Sequence, residues 1–523
     1  MAICYRGTNL FNMIIDNFGT NETPEYSQDK KNSTGSNINP EQRKSGEHIA
    51  DKYGIPIEDL EFDRSVIVLD HQSVISALLN EIKQVDFREI AQLEEGGALN
   101  KKHYLIISIE EILKIAKANK WALCMNDGFI YVYNGAFWKQ LSKEEVQNLL
   151  GKGAELLGVD AYDARLYSFR TELMKQFLST AYLPKPIKSD QKVNINLLNG
   201  TFVISENSQY LKSFDRSDFL KYQLPFKYET QAEADIFQAY LDRVLPENDL
   251  QNILAEYIAS VFVPNKILKL EKTMVLVGSG ANGKSVMFEV VNALLGPDNV
   301  SNYSLQSLTN ESGYQRAKLS DKILNYASEI SPNMDSTIFK QLVSGEPVEA
   351  RLPYKDPFVL TDYAKFIFNC NTLPKDVEQN EAFYRRFIIL DFKVTIPEEE
   401  RDPELAKKII TTELAGVFNW VLEGLYRLLK NKNFTYSDHI DRSVKDYKKQ
   451  SDSVHLFLED DEYIIDLNSS INVKNLYGNY KQYAHDYGYR SCSLKSFTDR
   501  LRNLNIQVFR KSDGNHASLK RKK

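Results

Sequence analysis

Residues 273–286 read Thr-Met-Val-Leu-Val-Gly-Ser-Gly-Ala-Asn-Gly-Lys-Ser-Val, an apolar run that breaks into a glycine-rich loop. The unbroken apolar stretch Met274 to Val277 predicts a strand buried on both faces. Val286, Val290 and Leu294 then recur at helical spacing, so a helix follows the loop. Between them Gly278, Ser279, Gly280, Ala281, Asn282, Gly283, Lys284 and Ser285 fit G-x-x-x-x-G-K-[ST]. Glycines there let the backbone curl so that N–H groups point inward at phosphate oxygens. The helix beginning near Lys284 adds its positive N-terminus. Lys284 is placed to reach the β- and γ-phosphates, and the Ser285 hydroxyl to ligate Mg²⁺. The expected ligands are therefore a nucleoside triphosphate and Mg²⁺.

Working outward, the chain of 523 residues has room for roughly three domains. Its 42% hydrophobic and 26% charged residues are those of a globular protein. No apolar run approaches the ~18 residues of a membrane span, so no membrane partner is expected. Cys4, Cys124, Cys370 and Cys492 lie far apart, which suggests neither a disulfide framework nor a zinc knuckle and points to a cytoplasmic protein. With a net charge of −6, any contact with nucleic acid must come from local basic patches.

Composition divides the chain. Residues 1–100 form a partly disordered N-terminal region of unknown role, with a polar tether over 19–47. Residues 101–245 are a first folded domain, with helices expected over 106–118 and 143–157. A hairpin with an Asn-Gly turn is expected over 128–135, and a strand and turn over 193–203. Residues 246–400 hold the nucleotide-binding core, entered by a helix over 250–263. A helical segment spans 401–450, and a basic unit spans 451–523.

A phosphate-binding loop does not choose among kinases, GTPases, transporters and motors, so the downstream residues decide. Residues 322–330 form a second strand-like run ending on Glu329, whose carboxylate can polarise an attacking water and help hold the metal. Residues 364–374 form a third strand closing on Asn371, whose amide can orient that water and touch the γ-phosphate. Arg385 and Arg386 stand immediately before a further strand, and either suits an arginine finger reaching a neighbouring subunit's γ-phosphate.

The order phosphate loop, acid, Asn-x-x-Pro and Arg-Arg resembles superfamily 3 helicases, in particular the phage/plasmid and poxvirus-type primase–helicase family. The resemblance covers roughly residues 105–523. Tyr131 to Gly135 with Trp138, Asn196 to Phe202, and Gln223 to Phe226 with Tyr228 are similar to the family's domain preceding the helicase. Ser344 to Arg351, with Tyr354 and Lys355, looks like the extra motif that marks superfamily 3. Leu476 to Gly488 and Ser496 to Leu501 are similar to its winged-helix appendage. The implied fold class is α/β: an AAA+-type P-loop ATPase core of superfamily 3 with an α+β N-terminal domain and a C-terminal winged helix. The resemblance further implies a homo-hexameric ring, ATP-driven translocation along single-stranded DNA, and Arg386, ahead of Arg385, as the finger. A separate primase or replication initiator is a further implied partner.

The sequence departs from the family in two places. The hundred residues before the match carry no Asp-x-Asp pair and no cysteine–histidine zinc spacing, so no primer synthesis is expected. Ser328 stands where many ring ATPases place a metal-holding aspartate, so Glu329 is expected to act alone, with Ser285, phosphates and water completing the metal shell.

For DNA, a hairpin from the extra motif offers Arg351 and Lys355 to phosphates and Tyr354 to a base. The basic C-terminal unit offers a helix with Lys495, Arg500 and Arg502 to a duplex. Forked DNA is thus an expected substrate, in replication of a phage, plasmid or mobile element and hence in a bacterial host's cytoplasm. The rival reading is an ATP-switched origin-binding initiator or loading scaffold without processive unwinding. A metabolic kinase is disfavoured, having no use for the Asn-x-x-Pro, Arg-Arg and winged-helix elements.

Overall fold

The computed structural model describes residues 57–59 and 68–522, except 127, 182–191, 329, 331–333 and 376. The polar tether over 19–47 and the carboxylate of Glu329 therefore lie outside the described residues. So does most of the chain before 68, apart from the short strand β1 (Ile57–Asp59).

The first core gathers around helices α1 (His71–Glu81), α2 (Lys101–Ala118), α3 (Lys143–Leu157) and α4 (Tyr167–Thr180). Ser142 and Glu145 close a reciprocal capping box at the start of α3, which fixes that boundary where the sequence places it. Helix α2 begins at Lys101, five residues before the expected start. Strands β2 (Ala122–Asn126), β3 (Phe129–Tyr133) and β4 (Trp138–Leu141) form an antiparallel meander. The expected hairpin supplies only its middle strand and turn. In that turn the Asn134 side chain accepts from the N–H groups of Ala136 and Phe137, and Gly135 takes φ +103°.

A second sheet runs β1–β7–β6–β5, with β5 (Val193–Leu197), β6 (Gly200–Ile204) and β7 (Gln209–Lys212) antiparallel and β1 added in parallel. Its buried face shares a core with helices α5 (Asp235–Val244) and α6 (Asn248–Ser260) and with the sheet that follows. Phe202, Leu224, Leu250, Met274 and Phe418 belong to one hydrophobic cluster, so no break in the core falls at 245/246.

The central sheet is parallel throughout. Strands β8 (Thr273–Val277), β9 (Val300–Ser301), β10 (Leu324–Ala327), β13 (Lys365–Cys370) and β14 (Phe387–Asp391) lie in the order β14-β8-β13-β10-β9. Helix α7 (Lys284–Leu295) leaves β8 through the glycine-rich loop, and α8 (Ser336–Ser344) follows β10. Between β10 and β13 an antiparallel pair, β11 (Val348–Ala350) and β12 (Phe358–Leu360), extends an exposed loop. Helices α9 (Leu405–Thr412) and α10 (Leu414–Asn431) cover one side. A Cβ on Gly424 would fall 2.6 Å from the backbone of Ala255, so glycine is what lets α10 seat against α6.

Helix α11 (Asp438–Gln450) leads at Ser451 into a last core built from α12 (Ser453–Asp460), α13 (Val473–Asp486) and α14 (Leu494–Asn503). Short antiparallel strands β15 to β19 (463–465, 471–472, 508–511, 514–517 and 519–521) complete this unit. None of the described helices is long and apolar enough to cross a membrane.

Candidate functional site

The glycine-rich loop sits at the carboxyl end of β8, the strand flanked by β13 and β14. Ligands of open parallel sheets bind at this end, in the crevice where strand order reverses. Gly280 (φ +113°), Ala281 (φ +50°) and Gly283 (φ +87°) take left-handed conformations, which curl the backbone into a concave turn. A Cβ on Gly278 would stand 1.9 Å from the Asn282 amide nitrogen and 2.7 Å from the Phe392 carbonyl, so no other residue fits there.

Three neighbours hold this turn. The Asn282 amide donates to Phe392 O at 3.1 Å, Ile396 N–H donates to Ala281 O at 2.8 Å, and the Tyr240 hydroxyl donates to Gly283 O at 2.8 Å. Lys284 is buried, and its ammonium donates to Gly278 O at 2.6 Å and to Asn282 Oδ1 at 3.0 Å. Burial holds its pKa below the usual lysine value. Ser279, Gly280, Ala281 and Ser285 are exposed. The site's donor set suits a polyphosphate: a cationic amine, a backbone turn and a hydroxyl on the first turn of a helix. Among the described residues no group of three or more His, Cys, Asp or Glu side chains could hold a metal. The exposed Ser285 hydroxyl, expected to ligate Mg²⁺, stands on the first turn of α7 beside Lys284.

Asn371, immediately after β13, is exposed and shares a cleft of about 710 Å³ with Gly278 and Ser279. Helix α11 also lines this cleft, with His439 and Arg442. Asp391, at the end of β14, pins that helix by accepting from Ser443 Oγ at 2.6 Å, with His439 Nε2 at 3.3 Å. Arg442 makes no ion pair among the described residues; its Nε donates to Asp438 O. Lys375 and Lys393 also line the cleft. Sequence reading missed Arg442 because α11 carries no motif, and only the docking of α11 onto β14 brings it to this cleft.

The two arginines stand at the other edge of the sheet. Arg386 O accepts from Thr273 N–H at the start of β8, a strand length of roughly 15 Å from the phosphate loop. They therefore cannot serve their own chain's loop. Arg386 is 7% exposed; its guanidinium donates to Ser344 Oγ at 2.9 Å and to Ala382 O. Burial and the adjacent Arg385 lower its pKa. Arg385 is exposed and pairs with Glu271 at 3.1 Å. Of the two, Arg385 extends from the surface, whereas Arg386, the one preferred from the resemblance, is held inside.

The loop joining β11 and β12 is exposed and carries Arg351, Tyr354 and Lys355 together. Tyr354 is fully exposed with φ +60°, a strained conformation for a bulky residue. Arg351 Nε donates to Lys355 O at 3.0 Å, bracing the loop from inside. Its root is held by buried Arg316, which donates to the carbonyls of Glu349, Leu308 and Asn310 at 2.8, 2.9 and 2.6 Å. No sequence signal marks Arg316.

On α14, Lys495 and Arg502 are exposed, and Arg502 pairs with Asp499 at 2.9 Å. Arg500 is spent internally. Its Nη1 donates to Asp452 Oδ1 at 3.1 Å, and Asp452 is the N-cap of α12. Arg500, expected to offer its charge to a duplex, is thus held in a part-buried ion pair.

Residues 110–246 match a family described as D5 N terminal like, and residues 276–386 match a family of unknown function, DUF5906. The second match runs from the end of β8 to Arg386. A protein of Acanthamoeba polyphaga mimivirus named as a helicase is 21% identical over 350 residues. That match covers 60% of this chain and 36% of the relative, so the chain spans about a third of its length. The apo C-terminal region of NrS-1 aligns with a TM-score of 0.43 and 13% identity, covering 78% of this chain and 98% of that one. A second apo structure of that region gives 0.43 and 12%, covering 78% and 99%. The family matches and the mimivirus relative bear out the resemblance to phage-type primase–helicases.

Proposed function

We propose that this chain is an ATP-dependent DNA helicase of superfamily 3, an AAA+-type P-loop ATPase core with a C-terminal winged helix. In this reading it works as a homo-hexameric ring on single-stranded and forked DNA during replication of a phage, plasmid or mobile element. A cytoplasmic site of action and a separate primase or initiator as partner belong to the same reading. The observation that carries it is the buried Lys284 ammonium, held by Gly278 O and Asn282 Oδ1 in a concave glycine turn that shares a cleft with Asn371.

ATP with Mg²⁺ would supply the phosphoanhydride bond whose hydrolysis drives the motor. Residues 278–285 bind the phosphates, with Lys284 exchanging its two intrachain acceptors for phosphate oxygens. Asn371 orients the attacking water and Glu329 takes its proton. Arg442 adds a cation from the same chain, and Arg385 completes the site of a neighbouring subunit. Arg351, Tyr354 and Lys355 grip the strand from the exposed loop, while Lys495 and Arg502 touch duplex.

The test is ATP turnover with and without single-stranded DNA. Lys284→Ala is expected to abolish turnover. Glu329→Gln is expected to keep ATP binding and lose hydrolysis by about 10²–10⁴-fold. Normal turnover in Glu329→Gln would sink the assignment of that acid. One hydrolysis per assembly event, without DNA stimulation, would favour the initiator reading.

A further inference from the structure

A second cavity, of about 450 Å³, opens at the edge of the central sheet opposite the phosphate loop. Its walls are the chain around β7, the segment after α6, and the residues leading into β10 and β13. It is thus built jointly by the first folded domain and the parallel-sheet core, and its size suits a small ligand.

Lysines outnumber acids in its lining, and two of its three aspartates are already paired. Lys212 pairs with Asp218 at 2.7 Å, and Lys221 pairs with Asp321 at 3.4 Å. Burial works against the charge of Lys221, yet Tyr131, Asp321 and Asp362 carry its pKa above the usual lysine value. Lys365, at the first position of β13, is different. It has no carboxylate partner among the described residues, and burial alone pushes its pKa down to about 8. An uncompensated amine in such a wall is costly unless an anion arrives. Tyr222, Phe219 and Phe262 give the cavity apolar faces beside its cations.

We propose that this cavity binds a phosphate group, with Lys365 as the cation that meets it. The inference does not depend on the ATPase reading, because none of these residues touches the glycine-rich loop. The phosphate could belong to a free nucleotide or to a strand of nucleic acid, and the chemistry at Lys365 is the same.

The experiment uses the full chain carrying Lys284→Ala, so that the glycine-rich loop does not mask the second site. Pyrophosphate, ATP and a short oligothymidylate are titrated separately by calorimetry. At least one probe is expected to bind, and Lys365→Met should weaken it by about tenfold or more, as for a lost charge-assisted hydrogen bond. Lys365→Arg should retain most of the affinity. The sign of the pH dependence follows from the same amine: the anion favours its protonated form, so binding persists below pH 8 and falls as pH rises through that value. Binding by pyrophosphate and ATP assigns a free nucleotide; binding by the oligonucleotide alone assigns a strand. Melting temperatures of the two variants check that both are folded. Absence of binding by all three probes at millimolar concentration, or equal affinity in the Lys365→Met variant, overturns the proposal.

Discussion

Gly278→Ala tests the phosphate loop through geometry. The new methyl would stand 1.9 Å from the Asn282 amide nitrogen, and the Phe392 carbonyl at 2.7 Å blocks retreat on the other side because it is backbone. Asn282 must therefore swing out, losing its donation to Phe392 O and its acceptance from the Lys284 ammonium. Lys284 gives up Asn282 for phosphate in any case, so the bound loop lacks only the neutral bond to Phe392 O, worth about 0.5–1.5 kcal/mol. Nucleotide affinity should fall roughly 2-fold to 12-fold. The ligand-free fold loses both bonds of the buried Asn282, one of them to a charged group, so stability should fall by roughly 2–4.5 kcal/mol. Titration of a fluorescent ATP analogue, with a thermal melt alongside, separates the two. Asn282→Ala should lose much of the same affinity, and the double variant should lose less than the sum, because both changes remove the same contacts. Unchanged affinity for ATP together with an unchanged melt in Gly278→Ala would refute the reasoning.

Three further predictions follow from burial and pairing. Arg385→Ala should melt like the parent yet hydrolyse ATP poorly, and mixing it with Lys284→Ala protein should restore turnover; Arg386→Ala should instead lose about 1.5–3 kcal/mol of stability with its buried hydrogen bonds. Denaturant melts and mixed-variant ATPase assays check both, and a stable Arg386→Ala that alone needs complementation reverses the assignment. Lys355→Ala should leave basal turnover intact while abolishing its stimulation by single-stranded DNA, and should lower the salt slope of binding by roughly 0.7. Stimulation unchanged in that variant removes the β11–β12 loop from the DNA path. Arg500→Ala should loosen the C-terminal unit, measured by hydrogen exchange at the start of α12, with little change in the salt slope of duplex binding; Arg502→Ala should lower that slope by roughly 0.9.

What the sequence by itself determined is whatever depends on neighbours along the chain. A strand buried on both faces must be apolar throughout, so β8 and β13 are legible as runs, and helix α3 is legible from the Ser142–Glu145 box at its start. The glycine turn is legible because its left-handed positions and its lysine lie within eight consecutive residues. The exposed loop with Arg351, Tyr354 and Lys355 is local in the same way. Other assignments were settled by tertiary structure, because burial and pairing depend on elements distant in sequence. Arg385 and Arg386 are adjacent and chemically identical, yet Ser344 and the floor of the sheet bury one and leave the other exposed. Arg500 reads as a basic surface residue until α14 folds against α12 and Asp452 takes its charge. Arg442 has no signal of its own and lines the cleft beside the phosphate loop only because Asp391 anchors α11 there. Spacing fixes which groups a turn or helix can offer; packing decides which of them are already spent and which still face a ligand.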